Sequence, residues 1–390
     1  MTMNQRMIAG RLRVQGSGVL ISITLLFLVW GSLDEATAQT TQHQIQRFKI
    51  TILSTMLVGD TAGIGEWGFA ALFNVDGHQM LVDTGAHTDT VIRNARDLHV
   101  DLSDVQEVIL THYHWDHVSG LLTLRRELMK DNPRALSIVH VSDGIFDSRP
   151  SETGERNQMI AIRKQYEATG GRFIVHASGA ELIPGVWLTG PVPRVYPEHN
   201  WSGPGKVLTA SGLVEDDIPE DSSLVVDTPK GLVVIAGCGH AGIVNILTFA
   251  EKHFADRPIY GIVGGLHLFA ATDEVVDWTA SKLREFHVKN LLAAHCTGIE
   301  ATFRLRKDLG LHRNPCRRHV GKPLLDRLRG GAKAARSTTN PSWLRVQEWL
   351  QTSPRSIPIV ISTLACLRGT SVMRCCAGFF MGTACSSHLA

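Results

Sequence analysis

Three histidines and one aspartate fall within six positions of the segment THYHWDH: His112, His114, Asp116 and His117. His112 and His114 are two residues apart at the end of an apolar stretch, so in extended backbone they project to one side. Asp116 and His117 follow where the chain turns into a helical pattern, and they can face a neighbouring point. Imidazole and carboxylate suit zinc, with iron or manganese as alternatives. The pattern predicts one or two metal positions rather than surface histidines before a helix.

Further candidate ligands stand where apolar stretches end downstream. The segment LVVIAGCGH brings Cys238 and His240 to the end of a predicted strand, between flexible glycines. His240 is the stronger ligand candidate, because Cys238 is also explained as a small buried thiol. His267 in GGLHL is a candidate for contact with metal or substrate, or else a core histidine. His295 ends the strand pattern NLLAAHC.

Strand and helix patterns alternate from about residue 47, and two hairpins are embedded among them. Residues 68–85 predict two strands around an Asp-Gly turn, and residues 223–237 predict a second pair of apolar strands. Helical spacing follows in 89–100, 117–130 and two later segments. Residues 143–165 are polar and predict a loop, either facing substrate or lying on the surface. This order predicts an α/β sandwich with mixed sheets.

Charge is divided unevenly along the chain of 390 residues. Residues 311–390 carry 12 Lys or Arg against 2 Asp or Glu, whereas residues 1–310 carry 27 against 35. The acidic body argues against nucleic acid as a partner and leaves a small-molecule substrate as the expectation. The sequence gives no indication of oligomeric state.

The N-terminal segment has the pattern of an export signal. Basic residues precede a 13-residue apolar run at 18–30, and the small residues of ATA at 36–38 fit a cleavage site. We interpret residues 1–38 as a signal peptide; an uncleaved anchor and a buried helix are the alternatives. Either of the first two predicts an exported, periplasmic or secreted body, which contacts the membrane only through this segment.

Residues 311–390 form a basic tail with five of the seven cysteines. One interpretation is a partly disordered appendage that touches membranes or acidic partners. The favoured interpretation is an out-of-frame segment, because charge and cysteine content change abruptly; the intact mass of the native protein would decide. The spacing of the late cysteines is poor for a metal site.

The metal motif, together with LVDTG at 81–85, resembles the metallo-β-lactamase superfamily. The resemblance implies a four-layer αββα sandwich over residues 47–310, with the metal site at a sheet edge. It implies that Asp83 orients the metal loop and that His295 is the last metal ligand. Superfamily members usually place a bridging aspartate where this chain has Cys238. A further histidine, expected before SLVV, is replaced by IPEDSS, so His240 is expected to fill that role.

The segments GCGHAGIVNIL, GGLHL and AAHCTG narrow the resemblance to one branch. That branch is similar to 7,8-dihydropterin-6-methyl-4-(β-D-ribofuranosyl)aminobenzene-5′-phosphate synthase. The branch name covers many bacterial proteins, so these motifs indicate the branch and leave the substrate open.

A two-metal assembly follows as an expectation. One metal would take His112, His114 and His240, and the other would take Asp116, His117 and His295. A metal lowers the pKa of bound water towards about 7 and stabilises an oxyanion, which predicts hydrolysis of an ester, lactone, amide or phosphate bond. Asp116 is a candidate proton acceptor in the catalytic site. Asp83, which is expected to orient the metal loop, is the second candidate residue of that site.

Three other functions are compatible with the sequence. The branch name suggests a pterin-related synthase, although an export signal fits that role poorly. An iron-dependent redox enzyme of the same fold is a second alternative, and His114 stands where its flavin-partnered members usually have glutamate. A metal-binding module without catalysis is the third.

Overall fold

The computed structural model describes residues 43–58, 62–200, 203–255, 257–311 and 323–327, the last range by its backbone alone. All of them lie in one compact unit within residues 1–332. The proposed export signal and nearly all of the basic tail lie outside the described residues, so the interpretations given for them stay predictions.

Seventeen strands and seven α-helices occur in the described residues. The strands are β1 (Arg47–Ser54), β2 (Ala70–Val75), β3 (His78–Val82), β4 (Glu107–Ile109), β5 (Ile138–Ser142), β6 (Pro150–Ser151), β7 (Gly154–Glu155), β8 (Arg172–His176), β9 (Ala180–Ile183), β10 (Val186–Leu188), β11 (Lys206–Thr209), β12 (Gly212–Glu215), β13 (Ser223–Thr228), β14 (Gly231–Ala236), β15 (Ile259–Gly264), β16 (Asn290–Ala293) and β17 (Pro323–Arg327). The helices are α1 (Thr90–Asp97), α2 (Trp115–Val118), α3 (Leu121–Leu128), α4 (Met159–Glu167), α5 (Ile243–His253), α6 (Asp273–Glu285) and α7 (Ile299–Asp308).

Two large sheets are both mixed, as the sequence predicted. The first has the order β17-β1-β2-β3-β4-β5-β8, antiparallel as far as β3 and parallel from β3 to β8. The second has the order β16-β15-β14-β13-β10-β9, with β14, β15 and β16 parallel. The predicted Asp-Gly turn joins β2 to β3, with positive φ at both Asp76 and Gly77.

The period of two along each strand explains how the layers stack. In β2, Ala71, Phe73 and Val75 face the second sheet, while Ala70 and Leu72 pack under α1 and α3. Along β14, Val233 and Ile235 face the first sheet, and Leu232 and Val234 pack against helices α5 to α7. Strands buried on both faces need helices on both outer sides. The molecule is therefore a four-layer αββα sandwich, and the predicted fold class is confirmed.

One local expectation was wrong, and another was confirmed only in part. Residues 143–165 are not a plain loop, because they contain the short β6–β7 hairpin and the first turns of α4. Their polar composition hid a helix that buries only Met159, Ile162 and Tyr166. The helical pattern over 117–130 is interrupted, since α2 ends at Val118 and α3 begins at Leu121.

The structure adds one strand from the segment that the sequence left unassigned. Residues 323–327 form β17, which pairs antiparallel with β1 and extends the first sheet. None of the helices in the described ranges has the length and apolar character needed to cross a bilayer.

Candidate metal centre

The candidate site lies where strand ends of the two sheets meet. Asp83 follows β3, the His112 loop follows β4, Cys238 follows β14 and His295 follows β16. The sheets approach so closely here that a Cβ at Gly237 would collide with Thr111 Oγ1 and Asp83 Oδ2. Glycine at this position therefore lets the two strand ends come together.

Asp83 is the buried anchor of the histidine loop. Its Oδ1 accepts the Thr111 backbone N–H at 2.8 Å, and its Oδ2 accepts the Thr111 hydroxyl at 2.8 Å. The same Oδ2 lies 2.7 Å from His117 Nδ1. A carboxylate only accepts, so we assign the His117 proton to Nδ1, which leaves the lone pair on Nε2. Asp83 acts through the histidines and is a positioning residue.

Two further histidines are held in the same tautomer. The Thr111 hydroxyl donates to Asp83, so it accepts from His112 Nδ1 at 3.0 Å. His240 Nδ1 donates to the Asn200 carbonyl. In each ring the Nε2 lone pair is thereby left for another partner, as outer-shell hydrogen bonds do for metal-binding histidines.

The ligand atoms form two groups that share one sulfur. Asp116, His117, Cys238 and His295 have ligand atoms within 4.8 Å of one another, and so do His112, Cys238 and His240. His117 Nε2 lies 3.1 Å from Cys238 Sγ and 3.2 Å from His295 Nε2. His295 Nε2 lies 3.2 Å from Asp116 Oδ2. Cys238 thus occupies the position between the two groups.

His114 and His267 lie beside these groups in different ways. The His114 ring centre is 4.7 Å from that of His112 and 4.8 Å from that of His240, yet His114 belongs to no such donor group in the described part of the chain. His267 forms a third group with Cys238 and Cys296. The structure therefore brings Cys238 into the donor set more closely than the sequence suggested, and His114 less closely.

The donor set fits a divalent metal. His112 Nε2 and His240 Nε2 are buried and have no hydrogen-bond partner within the described ranges. A buried polar atom without a partner costs about 1–3 kcal/mol. Imidazole, carboxylate and thiolate together are the ligands of zinc and of iron.

Electrostatics keep most of these ligands in the form that binds metal. Burial lowers the pKa of His114 to about 3 and lowers the pKa values of His112 and His240 well below the usual range. These imidazoles are therefore neutral at neutral pH. Burial opposes ionisation of Asp116, but the neighbouring His117 and His295 lower its pKa. Burial also opposes charge on His295, but Cys296 and Asp116 raise its pKa to about 10, so a metal must displace a proton there.

Sequence reasoning missed residues that hold the ligands in place. Asn200 fixes His240 through its carbonyl, and no side-chain pattern signals a backbone acceptor. Asp221, in the segment where a histidine was expected, accepts the Ala241 N–H at 2.9 Å and braces the turn that carries His240. Burial raises the Asp221 pKa to about 6. Asp83, His267 and His295 all have positive φ, and such backbone conformations concentrate at functional sites.

Comparisons with known proteins match the part of the chain that carries this site. A family model described as the metallo-β-lactamase superfamily matches residues 68–131, which include Asp83 and the whole histidine motif. A synthase of Methanocaldococcus jannaschii is 27% identical over 232 residues, which are 57% of this chain and 76% of the relative. Its name is 7,8-dihydropterin-6-methyl-4-(β-D-ribofuranosyl)-aminobenzene-5′-phosphate synthase. An uncharacterised protein of the same organism is 27% identical over 264 residues, 64% of this chain and 92% of the relative.

A solved structure shares the fold of this chain. It is described as a metal-dependent hydrolase of the β-lactamase superfamily, and it is 28% identical with a TM-score of 0.54. The match covers 67% of this chain and 92% of that structure. Together with the sandwich and the histidine loop between its sheets, these likenesses show that the chain has the metallo-β-lactamase fold, with a match to the superfamily's family model over the histidine loop.

Proposed function

We propose that this protein is an exported hydrolase that uses a two-metal centre, bridged by Cys238, on a small-molecule ester, lactone, amide or phosphate. The observation that carries the proposal is the pair of donor groups that share the Cys238 sulfur. Export rests on the pattern of residues 1–38, and that segment is the proposed route of any membrane contact. The acidic body supports a small-molecule substrate over nucleic acid.

In this proposal, His112 and His240 would hold one metal, with His114 at its edge. Asp116, His117 and His295 would hold the other, and Cys238 would serve both. A bound zinc supplies Lewis acidity and an acidic water near neutral pH. Cys238 would hold metal as a thiolate, at the position where superfamily members usually have an aspartate.

The chain's own residues prepare the site by orientation and by exclusion of water. Asp83 and Asn200 aim the imidazoles, so no ring has to turn when the site is used. Asp116 is 6% exposed, more than any other member of its donor group, so its carboxylate is the candidate acceptor for a proton released there. His295 and Cys238 are nearly inaccessible to solvent.

A second candidate is a pterin-related synthase activity. The similarity to the archaeal synthase favours it. The same residues would then bind the phosphate or ring substituents of a phosphoribosyl compound, and hydrolysis of simple esters would be absent.

The deciding experiment is metal analysis of the full chain by emission spectrometry, followed by a panel of esters, lactones, amides, phosphates and a phosphoribosyl pterin. We expect one or two zinc or iron ions per chain and turnover of a hydrolysable substrate. His117→Ala should bind about one ion fewer and lose turnover, and His114→Ala should lose turnover with a smaller loss of metal. His78→Ala, at an exposed histidine, is the matched control and should change neither.

Each other outcome points to a different function. Conversion of the pterin alone would support the synthase. Iron with consumption of oxygen would support a redox enzyme, and metal without any turnover would support a binding module. Absence of stoichiometric metal from the unmodified protein would refute the metal centre.

A further inference from the structure

Two exposed aromatic side chains stand at the mouth of the candidate metal centre. Trp67 is 38% exposed and Phe269 is 52% exposed, although both are large apolar groups. Their rings meet edge to face with centres 5.1 Å apart. Exposed apolar groups that adjoin one another are characteristic of binding surfaces.

This aromatic pair touches both sides of the donor set. The Trp67 ring lies 5.4 Å from the ring of His295, which belongs to one donor group. The Phe269 ring lies 5.3 Å from that of His267, which in turn lies 4.4 Å from His240 of the other group. The pair is therefore linked by ring contacts to both donor groups.

Hydrogen bonds hold the backbone that carries both aromatic residues. Glu66, immediately before Trp67, is buried; its carboxylate accepts the Ser54 hydroxyl at 2.6 Å and the Ala86 N–H at 2.9 Å. The Phe269 N–H donates to the Cys296 carbonyl at 3.1 Å. An aromatic pair held in this way binds a ligand without first having to be ordered.

The apolar surface continues past His295. A small hollow there is lined by Leu57, Ala294 and Ile299, among others. Leu57 and Ile299 are exposed, and so is Phe303, which lies one turn further along the same face of α7. An apolar group of a substrate whose polar part is bound at the metal centre would extend over this surface.

We propose that Trp67 and Phe269 form a subsite for an aromatic substituent of the substrate, next to the metal-bound reactive group. This inference rests on the proposed metal centre and narrows its substrate class to compounds that carry a flat apolar ring beside the polar group. Ligand sites of this kind combine aromatic walls with a few convergent polar atoms. Aromatic side chains prefer edge-to-face or offset contact, which the exposed faces of both rings can still make.

Binding of two hydroxamates to the metal-loaded, full-length protein tests this directly, without any need for turnover. Acetohydroxamate and benzohydroxamate present the same two oxygens to a metal and differ in the ring. Titration calorimetry gives the ratio of their dissociation constants. We expect benzohydroxamate to bind about tenfold more tightly, and we expect the Trp67→Ala/Phe269→Ala double variant to lose about that factor.

Two single variants serve as controls for the double variant. Trp67→Phe should retain most of the preference for benzohydroxamate, since this variant keeps an aromatic face at position 67. Leu213→Ala, at an exposed leucine of the β11–β12 hairpin, should leave the ratio unchanged. Unchanged acetohydroxamate affinity and metal content in the double variant would show that its metal centre is intact.

The outcomes separate the subsite from the metal centre. If acetohydroxamate binds but the ratio is the same in the unmodified protein and the double variant, the aromatic subsite is wrong and the metal centre stands. If neither hydroxamate binds and the protein holds no metal, the proposed function fails and the subsite fails with it.

Discussion

One carboxylate organises two of the site histidines. Asp83 binds His117 directly and reaches His112 through the Thr111 hydroxyl. The resemblance to the superfamily implied an orienting role for Asp83, and the observed hydrogen bonds are those of such a role. The relay through Thr111 required the structure, because a threonine before a histidine has no distinctive pattern of its own.

At the same scale, the two neighbouring cysteines are predicted to differ in metal binding. The sulfurs of Cys238 and Cys296 are 3.2 Å apart. Only Cys238 belongs to the two groups proposed as the metal centre. The cobalt-substituted protein should therefore show thiolate-to-cobalt absorption in the near ultraviolet that Cys238→Ser abolishes. Chelator competition should show a loss of metal affinity of at least about tenfold in that variant.

Cys296→Ser is the matched control for this prediction. It removes the neighbouring thiol and should retain the absorption band. Loss of the band in Cys296→Ser, with retention in Cys238→Ser, would place the metal on the other sulfur and contradict the proposed bridge.

At the scale of elements, a buried ion cluster ties the segment after β5 to the histidine loop. Arg149 is fully buried; it lies 3.2 Å from Asp216 and 2.6 Å from Glu220. Its guanidinium lies 3.8 Å from the ring centre of Tyr113, which stands between His112 and His114 in the chain. This cluster explains why residues 143–165 are ordered despite their polar composition.

Arg149→Met should lower the free energy of unfolding by about 3–5 kcal/mol, because two buried carboxylates would lose their cation. Urea denaturation followed by circular dichroism measures the change. Arg93→Met is the control, since Arg93 pairs with Asp89 on the surface. Arg93→Met should lower the free energy of unfolding by about 1 kcal/mol or less. A loss equal to that of the control would show that the buried cluster contributes little to stability.

At the scale of the whole molecule, one buried carboxyl makes folding stability depend on pH. Glu198 accepts the N–H groups of Val244 and Asn245 at the start of α5. Burial outweighs these bonds and raises its pKa from 4.5 to about 7. Between these two values the unfolded chain releases the proton first, so rising pH favours unfolding.

The free energy of unfolding should therefore fall by up to about 3 kcal/mol as pH rises from about 4.5 to about 7, through titration of Glu198 alone. Glu198→Gln removes the titration and should flatten that part of the curve. Chemical denaturation of both proteins at several pH values gives the comparison. Parallel curves would show that Glu198 titrates alike in the folded and unfolded states.

Most of the fold could be predicted from the sequence because its signals are local. Continuous apolar stretches marked the central strands, which are buried along their whole length, and an Asp-Gly turn marked the first hairpin. The strands between residues 172 and 215 are short and mostly partly exposed, so they lack such stretches and were not predicted. The α4 helix was missed because it buries only one narrow face among polar residues.

The sequence by itself determined the fold class and the half of the site that is close together along the chain, since His112, Asp116 and His117 lie within one short loop. Only the tertiary structure decided the far half. Cys238 and His295 stand 121 and 178 residues from His117, and only the folding of two sheets against each other brings their ligand atoms within about 3 Å of it. The same long-range packing placed Cys238 between the donor groups, His114 beside them and the aromatic pair at the mouth. Spacing along the chain carries no information about contacts that different strand ends make across a sandwich.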